Sequence, residues 1–281
     1  MALLAQLALV SDTPELGVSE LTTVAAALQK QIARDVAPIW DLQGTIDAFM
    51  HLEDVPPGYW PIIVRDDIEK DFAGFHCDQD GQPMALVTSG QGWSVTASHE
   101  AIEMLVDPFG NRMVAGQSLK PDQGRVAYLA EVADPIGDKT YSVNGIEVAD
   151  FCTPHYFDPI QSSGVQYSFT GAIPGPRQLL SDGYLTWHDP VSSMWWQQSR
   201  FSSGEPRIDS LGKLMKTSCG LRASVDRLAA RRRREAHAAS LPEPMLSLTA
   251  DRQTVAKAVI DSSRAKAESW RSVIRDVAGL R

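Results

Sequence analysis

The sequence predicts an α+β fold. Short apolar runs of strand length alternate with two helical periodicities up to residue 108, and turn-punctuated, aromatic-rich segments follow over about 140–200. A basic, helix-prone stretch comes last. Residues 1–215 are expected to form the main domain, and 216–281 a basic, mostly helical tail. A chain of 281 residues with 43% hydrophobic and 22% charged residues can bury a substantial core.

Met1–Val10 is apolar but lacks a basic leading region and a cleavage site, so it reads as a first strand rather than a signal peptide. Ser11–Gly17 is loop. A long helix is expected from Ser19, its candidate cap, to Ala37, with Leu21, Val24, Ala25, Leu28, Ile32 and Val36 at helical intervals. Gly44–Met50 reads as a strand and Asp54–Gly58 as a turn. Trp60–Val64 is a further strand whose Pro61 limits pairing near its start. A turn at Asp78–Gln82 leads into a short strand, Met84–Thr88. His76 and Cys77 precede that turn. Adjacent residues of a strand face opposite ways, so the two do not make a joint ligand pair, and His76 is expected to have a structural role.

From Gly92 to Pro108 no Gly or Pro intervenes, and Val95, Ile102, Leu105 and Val106 recur at helical spacing. On that helix His99 and Glu103 point the same way, one turn apart, with Asp107 a further turn along. An imidazole and a carboxylate so placed can hold one divalent metal, with Glu100 beside it as a candidate general base. Zinc accepts both donor types, and the harder carboxylate also suits Mn²⁺ or Ca²⁺. The competing reading is an amphipathic helix whose His and Glu residues face solvent.

His99-Glu100-Ala101-Ile102-Glu103 resembles the His-Glu-x-x-His helix of zincin metallopeptidases, with Glu in place of the second His. The order strand, long helix, strand, strand, short strand, His-Glu helix is similar to their N-terminal half, in which a long helix backs a mixed, twisted sheet and the edge strand borders the cleft. The likeness covers Met1 to Asp107. A looser one, to plant Exordium-type phosphate-induced proteins, rests on Ser98-His99-Glu100, Glu103 and Asp107-Pro108. The zincin resemblance implies a Zn²⁺ site, a metal-activated water and peptide-bond hydrolysis, with Glu100 as base. It also implies a third ligand after the helix. Glu131 is preferred, on the expectation that Glu131 and Asp134 lie on a helix. Asp107 is the alternative, although Gly110 follows it and so stands in the wrong place for a turn that would swing a ligand back. Tyr141, Tyr156 and His155 are equally placed as oxyanion donors.

Glu147–Asp150 repeats the Glu-Val-Ala-Asp string of 131–134, and Asn144-Gly145 before it signals a hairpin. Asp182–Gln198, dense in Trp, reads as a second hairpin with its tip near Pro190–Ser193. Its rings either close the core or, through Trp187, Trp195 and Trp196, bind a glycan or partner. From Leu221 onward there are 13 Lys and Arg against 7 Asp and Glu, whereas the chain as a whole carries −9. An acidic body with a basic tail argues against specific nucleic-acid recognition and suits docking to a protein partner or within a larger assembly, such as a phage or bacterial particle. Thr249 is expected to cap a last helix over Ala250–Ala278. Three widely spaced cysteines and no apolar run of spanning length point to a cytoplasmic protein or a virion component, with no membrane partner. The alternative to an enzyme is a non-catalytic assembly protein that keeps a zincin-like fold.

Overall fold

Strand β1 (Leu4–Ser11) carries four consecutive residues, Leu7 to Val10, with no exposed surface. Both faces are covered along that stretch, which is why Leu7-Ala8-Leu9-Val10 is apolar at every position rather than alternating. It pairs in parallel with β2 (Gln43–Phe49) on one side and β3 (Trp60–Arg65) on the other. Beyond β3 lie β5 (Gln82–Thr88), also parallel, and β4 (Gly74–Gln79), antiparallel and at the edge. The sheet order is therefore β2-β1-β3-β5-β4. Pro61 sits one residue before the β5 pairing begins at Ile62, so its missing N–H leaves that ladder intact. The structure, a computed structural model, describes residues 4–68, 73–79, 81–201, 204–214 and 220–240.

Leu7, Leu9, Ile62, Val64 and Val87 share a core with Leu21, Val24 and Leu28 of α1 (Val18–Gln31) and with Ala97, Ala101 and Met104 of α3 (Trp93–Val106). On the opposite face Ala8, Val10 and Ile63 pack with Phe49, Leu52, Val55 and Tyr59. The single long helix expected from Ser19 to Ala37 is instead interrupted. It begins at Val18 behind Gly17, and Ser19 is not its cap; its carbonyl accepts from Thr23 Oγ1. After Gln31 the helix widens into a π turn, Ile32–Val36, and then resumes as α2 (Ala37–Trp40). Pro38 has no N–H for the carbonyl four residues back, and the widened turn precedes it.

A second, antiparallel sheet has the order β12-β11-β10-β7-β6, from β6 (Met113–Gln117), β7 (Arg125–Leu129), β10 (Tyr184–Asp189), β11 (Met194–Ser199) and β12 (Arg207–Gly212). The expected aromatic hairpin is β10–β11, with Trp187 opposite Trp196. Trp187 is fully buried beside Tyr128 and Phe151, and Trp195 packs with Leu211 and with Val225 and Ala229 of α4 (Leu221–Ser240). Those two rings belong to the core, so the three tryptophans do not form an open glycan platform. Asn144 and Gly145, both at positive φ, turn β8 (Thr140–Val143) into β9 (Ile146–Ala149), as their sequence predicts.

The architecture is thus α+β with several sheets. The chain falls into two compact units, Met1–Ala229 and Ala230–Arg281, and the site described next lies in the first. Among the described residues no helix is long and apolar enough to cross a membrane. Cys219 and the helix expected over 250–278 lie outside the described residues.

Candidate metal centre

Helix α3 sets His99 Nε2 3.3 Å from Glu103 Oε2, the one-turn contact that their spacing predicts. The third member of this group is Asp134, whose Oδ1 is also 3.3 Å from His99 Nε2. Glu131 and Asp134 do not share an α-helix. Strand β7 ends at Leu129, the chain continues as a buried irregular segment, and Asp134 opens a 3₁₀ turn, Asp134–Ile136. An α-helix running through Glu131 would be stopped at Pro135, which lacks the N–H to continue it, and that is the sequence signal against the expectation. The segment is fixed by its backbone, since Glu103 Oε1 accepts the N–H groups of Ala133 (3.0 Å) and Asp134 (3.2 Å).

Each carboxylate of the group has one oxygen held by hydrogen bonds and the other turned toward His99. Glu103 Oε1 is held by the two amides, while Glu103 Oε2 is buried and accepts no hydrogen bond among the described residues. Asp134 Oδ2 accepts from Arg222 Nη2 at 2.9 Å, while Asp134 Oδ1 is buried and accepts none. Both spare oxygens face His99, whose side chain is 25% exposed and forms the open side of an otherwise closed cluster.

Behind this group lies His76, on edge strand β4 and only 2% exposed. Its Nδ1 is 3.2 Å from Glu100 Oε2 and 3.6 Å from Glu103 Oε2; its Nε2 is 3.7 Å from Glu131 Oε2. Gly74, two residues earlier, lets the strand come this close. A Cβ there would meet Thr96 Cγ2 at 2.5 Å and Glu100 Oε1 at 3.0 Å. Glu131, the ligand preferred from the sequence, therefore stands beside His76 and Arg222 rather than beside His99. Asp107 caps the loop after α3, accepting from the amides of Asn111 (2.9 Å) and Arg112 (2.8 Å). Of the three oxyanion candidates, the Tyr141 hydroxyl donates to Asp35, His155 is exposed beside Asp158, and the Tyr156 hydroxyl is buried without a hydrogen-bond partner among the described residues. Among the described residues no hydrogen bond joins any of the three to His99, Glu103 or Asp134.

Arg222 enters from the first turn of α4 and is the cation of the cluster. It reaches Asp134, Asp226, the Tyr184 hydroxyl and, with Nε 3.0 Å from Oε2, Glu131. Gly110, at φ +56°, makes room for it, because a Cβ there would collide with Arg222 Cβ. The glycine that is misplaced for a ligand-returning turn has this use instead. The i, i+4 spacing of Arg222 and Asp226 at the head of a helix-prone stretch was the available sequence signal for Arg222. His76 had none beyond its residue type.

Six buried carboxylates, from Glu100, Glu103, Asp107, Glu131, Asp134 and Asp226, surround one guanidinium and two imidazoles. Burial works against charge on His99 and on His76, but their carboxylate neighbours prevail and raise both, His99 strongly. Burial pushes Glu103 up, yet His99, Arg222 and His76 hold it well below the usual range. For Glu131 and Asp226 burial wins despite Arg222, lifting Glu131 strongly and Asp226 to about 6. The arrangement concentrates negative potential around two buried carboxylate oxygens and one part-exposed imidazole. Compared with family models, curated proteins and solved structures, the chain matches none.

Proposed function

We propose that this protein is a metal-dependent hydrolase of zincin-like build, with peptide or protein as substrate. His99, Glu103 and Asp134 are the metal ligands of this reading, Asp134 taking the place of Glu131, preferred from the sequence, and of its alternative Asp107. The observation that carries it is the pair of buried oxygens that accept no hydrogen bond among the described residues, Glu103 Oε2 and Asp134 Oδ1, each 3.3 Å from His99 Nε2 with its sister oxygen held elsewhere. A carboxylate oriented through one oxygen and free at the other is how supporting contacts prepare a ligand. The layout adds support: β1, a helix, further strands and then the His-Glu helix, with edge strand β4 at the site.

A bound zinc ion, or Mn²⁺ given two oxygen donors, supplies Lewis acidity and a water of lowered pKa. Glu100, next to His99 on α3, is the base that takes the proton, and His76 at 3.2 Å fixes its orientation. The test is metal content by elemental mass spectrometry on wild type and His99→Ala, purified without a metal-affinity tag, followed by a peptide-library digest. Near-stoichiometric metal that is lost in the variant is expected. Metal-free protein after supplementation with zinc and manganese overturns the reading.

A second reading, a non-catalytic assembly protein with the same fold, is favoured by Arg222. That guanidinium already neutralises part of the cluster, so the site is also consistent with a structural ion-pair network. It is the reading that a metal-free result would leave.

A further inference from the structure

The contacts of His76 are not used up by a single ion at His99. His76 Nδ1, Glu100 and Glu103 form a second group whose donor atoms lie within 4.8 Å of one another, and all three residues are buried. We propose that a second divalent ion binds there, so that Glu103 bridges two ions. The proposal rests on the reading of the first site, since Glu103 serves both.

Three observations carry it. Glu103 Oε2 stands between the two imidazoles, 3.3 Å from His99 Nε2 and 3.6 Å from His76 Nδ1. It belongs to a side chain with no exposed surface and accepts no hydrogen bond among the described residues. Shared carboxylates of this kind join ions about 3.5–4 Å apart in two-metal hydrolytic sites. Next, the far nitrogen of His76 faces Glu131 Oε2 at 3.7 Å, and Arg222 stands on the other side of that carboxylate. A ligating histidine is normally oriented by a carboxylate at its other nitrogen, and Glu131, itself paired with Arg222, stands at that nitrogen of His76 at ion-pair distance. Finally, His76, His99, Glu100, Glu103 and Asp134 together supply two imidazoles and three carboxylates, a mixed nitrogen and carboxylate donor set of the kind that holds paired divalent ions. So oxygen-rich a set favours Mn²⁺ over softer ions. Occupation of this site makes Glu100 a ligand, so the one-ion and two-ion forms differ in which group accepts the proton from water.

The experiment loads the full chain with Mn²⁺, removes excess ion by gel filtration, counts manganese per chain and records the electron paramagnetic resonance spectrum. Two ions per chain with an exchange-coupled spectrum are expected. His76→Ala, checked for folding by circular dichroism, should keep one ion and show an isolated six-line signal. One uncoupled ion in wild type overturns the second site and leaves the first standing. Two uncoupled ions likewise overturn the bridge, and a chain empty of manganese overturns the second site, while the first is judged by its own loading with zinc and manganese. The wild-type spectrum decides the matter even where His76→Ala does not fold.

Discussion

Arg222 and Asp134, 88 residues apart in sequence, meet at 2.9 Å in the interior, where the guanidinium holds one oxygen of a carboxylate whose other oxygen faces His99. The head of α4 therefore takes part in shaping the candidate centre. Truncating Arg222 would leave Glu131, Asp134 and Asp226 buried without their cation. Breaking a buried pair in this way typically costs ~3–5 kcal/mol, far more than a surface pair contributes. Arg222→Met should lower the urea midpoint accordingly. A loss within experimental error would show that the carboxylates take up protons and no longer need the guanidinium.

Glu100→Gln keeps the shape of the side chain and removes the basic oxygen. Under the hydrolase reading, cleavage of a peptide library should fall about 10²–10⁴-fold, the range for loss of a positioned base. The variant should retain one ion at His99. Unchanged turnover would remove Glu100 from the chemistry.

How much of this was legible in the sequence depends on the range of the interaction involved. The His99–Glu103 contact is local and follows from helix spacing, as does the Asn144-Gly145 hairpin from its turn residues. The strand β1 was legible because its doubly covered stretch, Leu7 to Val10, is apolar at every position. The third member of the group was not, because Asp134 reaches His99 through a chain path set by Pro135 and by the amides that bind Glu103. His76 and Arg222 come from an edge strand and a distant helix, and only tertiary packing brings them in. The helix expected around Glu131 failed for a related reason: a Glu-Val-Ala-Asp string has ordinary helix formers, and burial within the fold overrode that weak preference.

Gly183 gives a test of Asp134 that leaves every charged group in place. A Cβ at 183 would collide with the carbonyl of Pro135 and lie 3.2 Å from that of Asp134. Gly183→Ala must shift the 134–137 turn, and with it the carboxylate. Metal affinity, measured by competition with a chromophoric chelator, should fall about 10–100-fold, the usual effect of disturbing a ligand's support. Gly145→Ala, at a positive φ but with no atom near the added carbon, is the control for general destabilisation. Equal affinities in the two variants would separate Asp134 from the ion.

The pH dependence of the metal-free protein follows from the signs of the shifts. His76 and His99 are raised above their ordinary value of 6.5, so the stability they contribute is complete below that pH and is lost as pH rises through their folded values. Asp226, raised from 3.8 to about 6, acts in the same sense over the window between those values. Glu103 is lowered from 4.5, so its contribution is present above that pH and is lost on acidification. Stability without metal should therefore be greatest in mildly acid solution and decline toward alkaline pH. An ion reverses the upper limb, because it binds the neutral imidazole and competes with the proton on His99. Thermal midpoints across pH 4–9, with chelator and with Mn²⁺, should diverge above pH 6.5, and His99→Gln should flatten both curves there. A chelated protein that grows more stable from pH 6.5 to 9 would mean that His76 and His99 are buried neutral, and that the carboxylates around them carry protons instead.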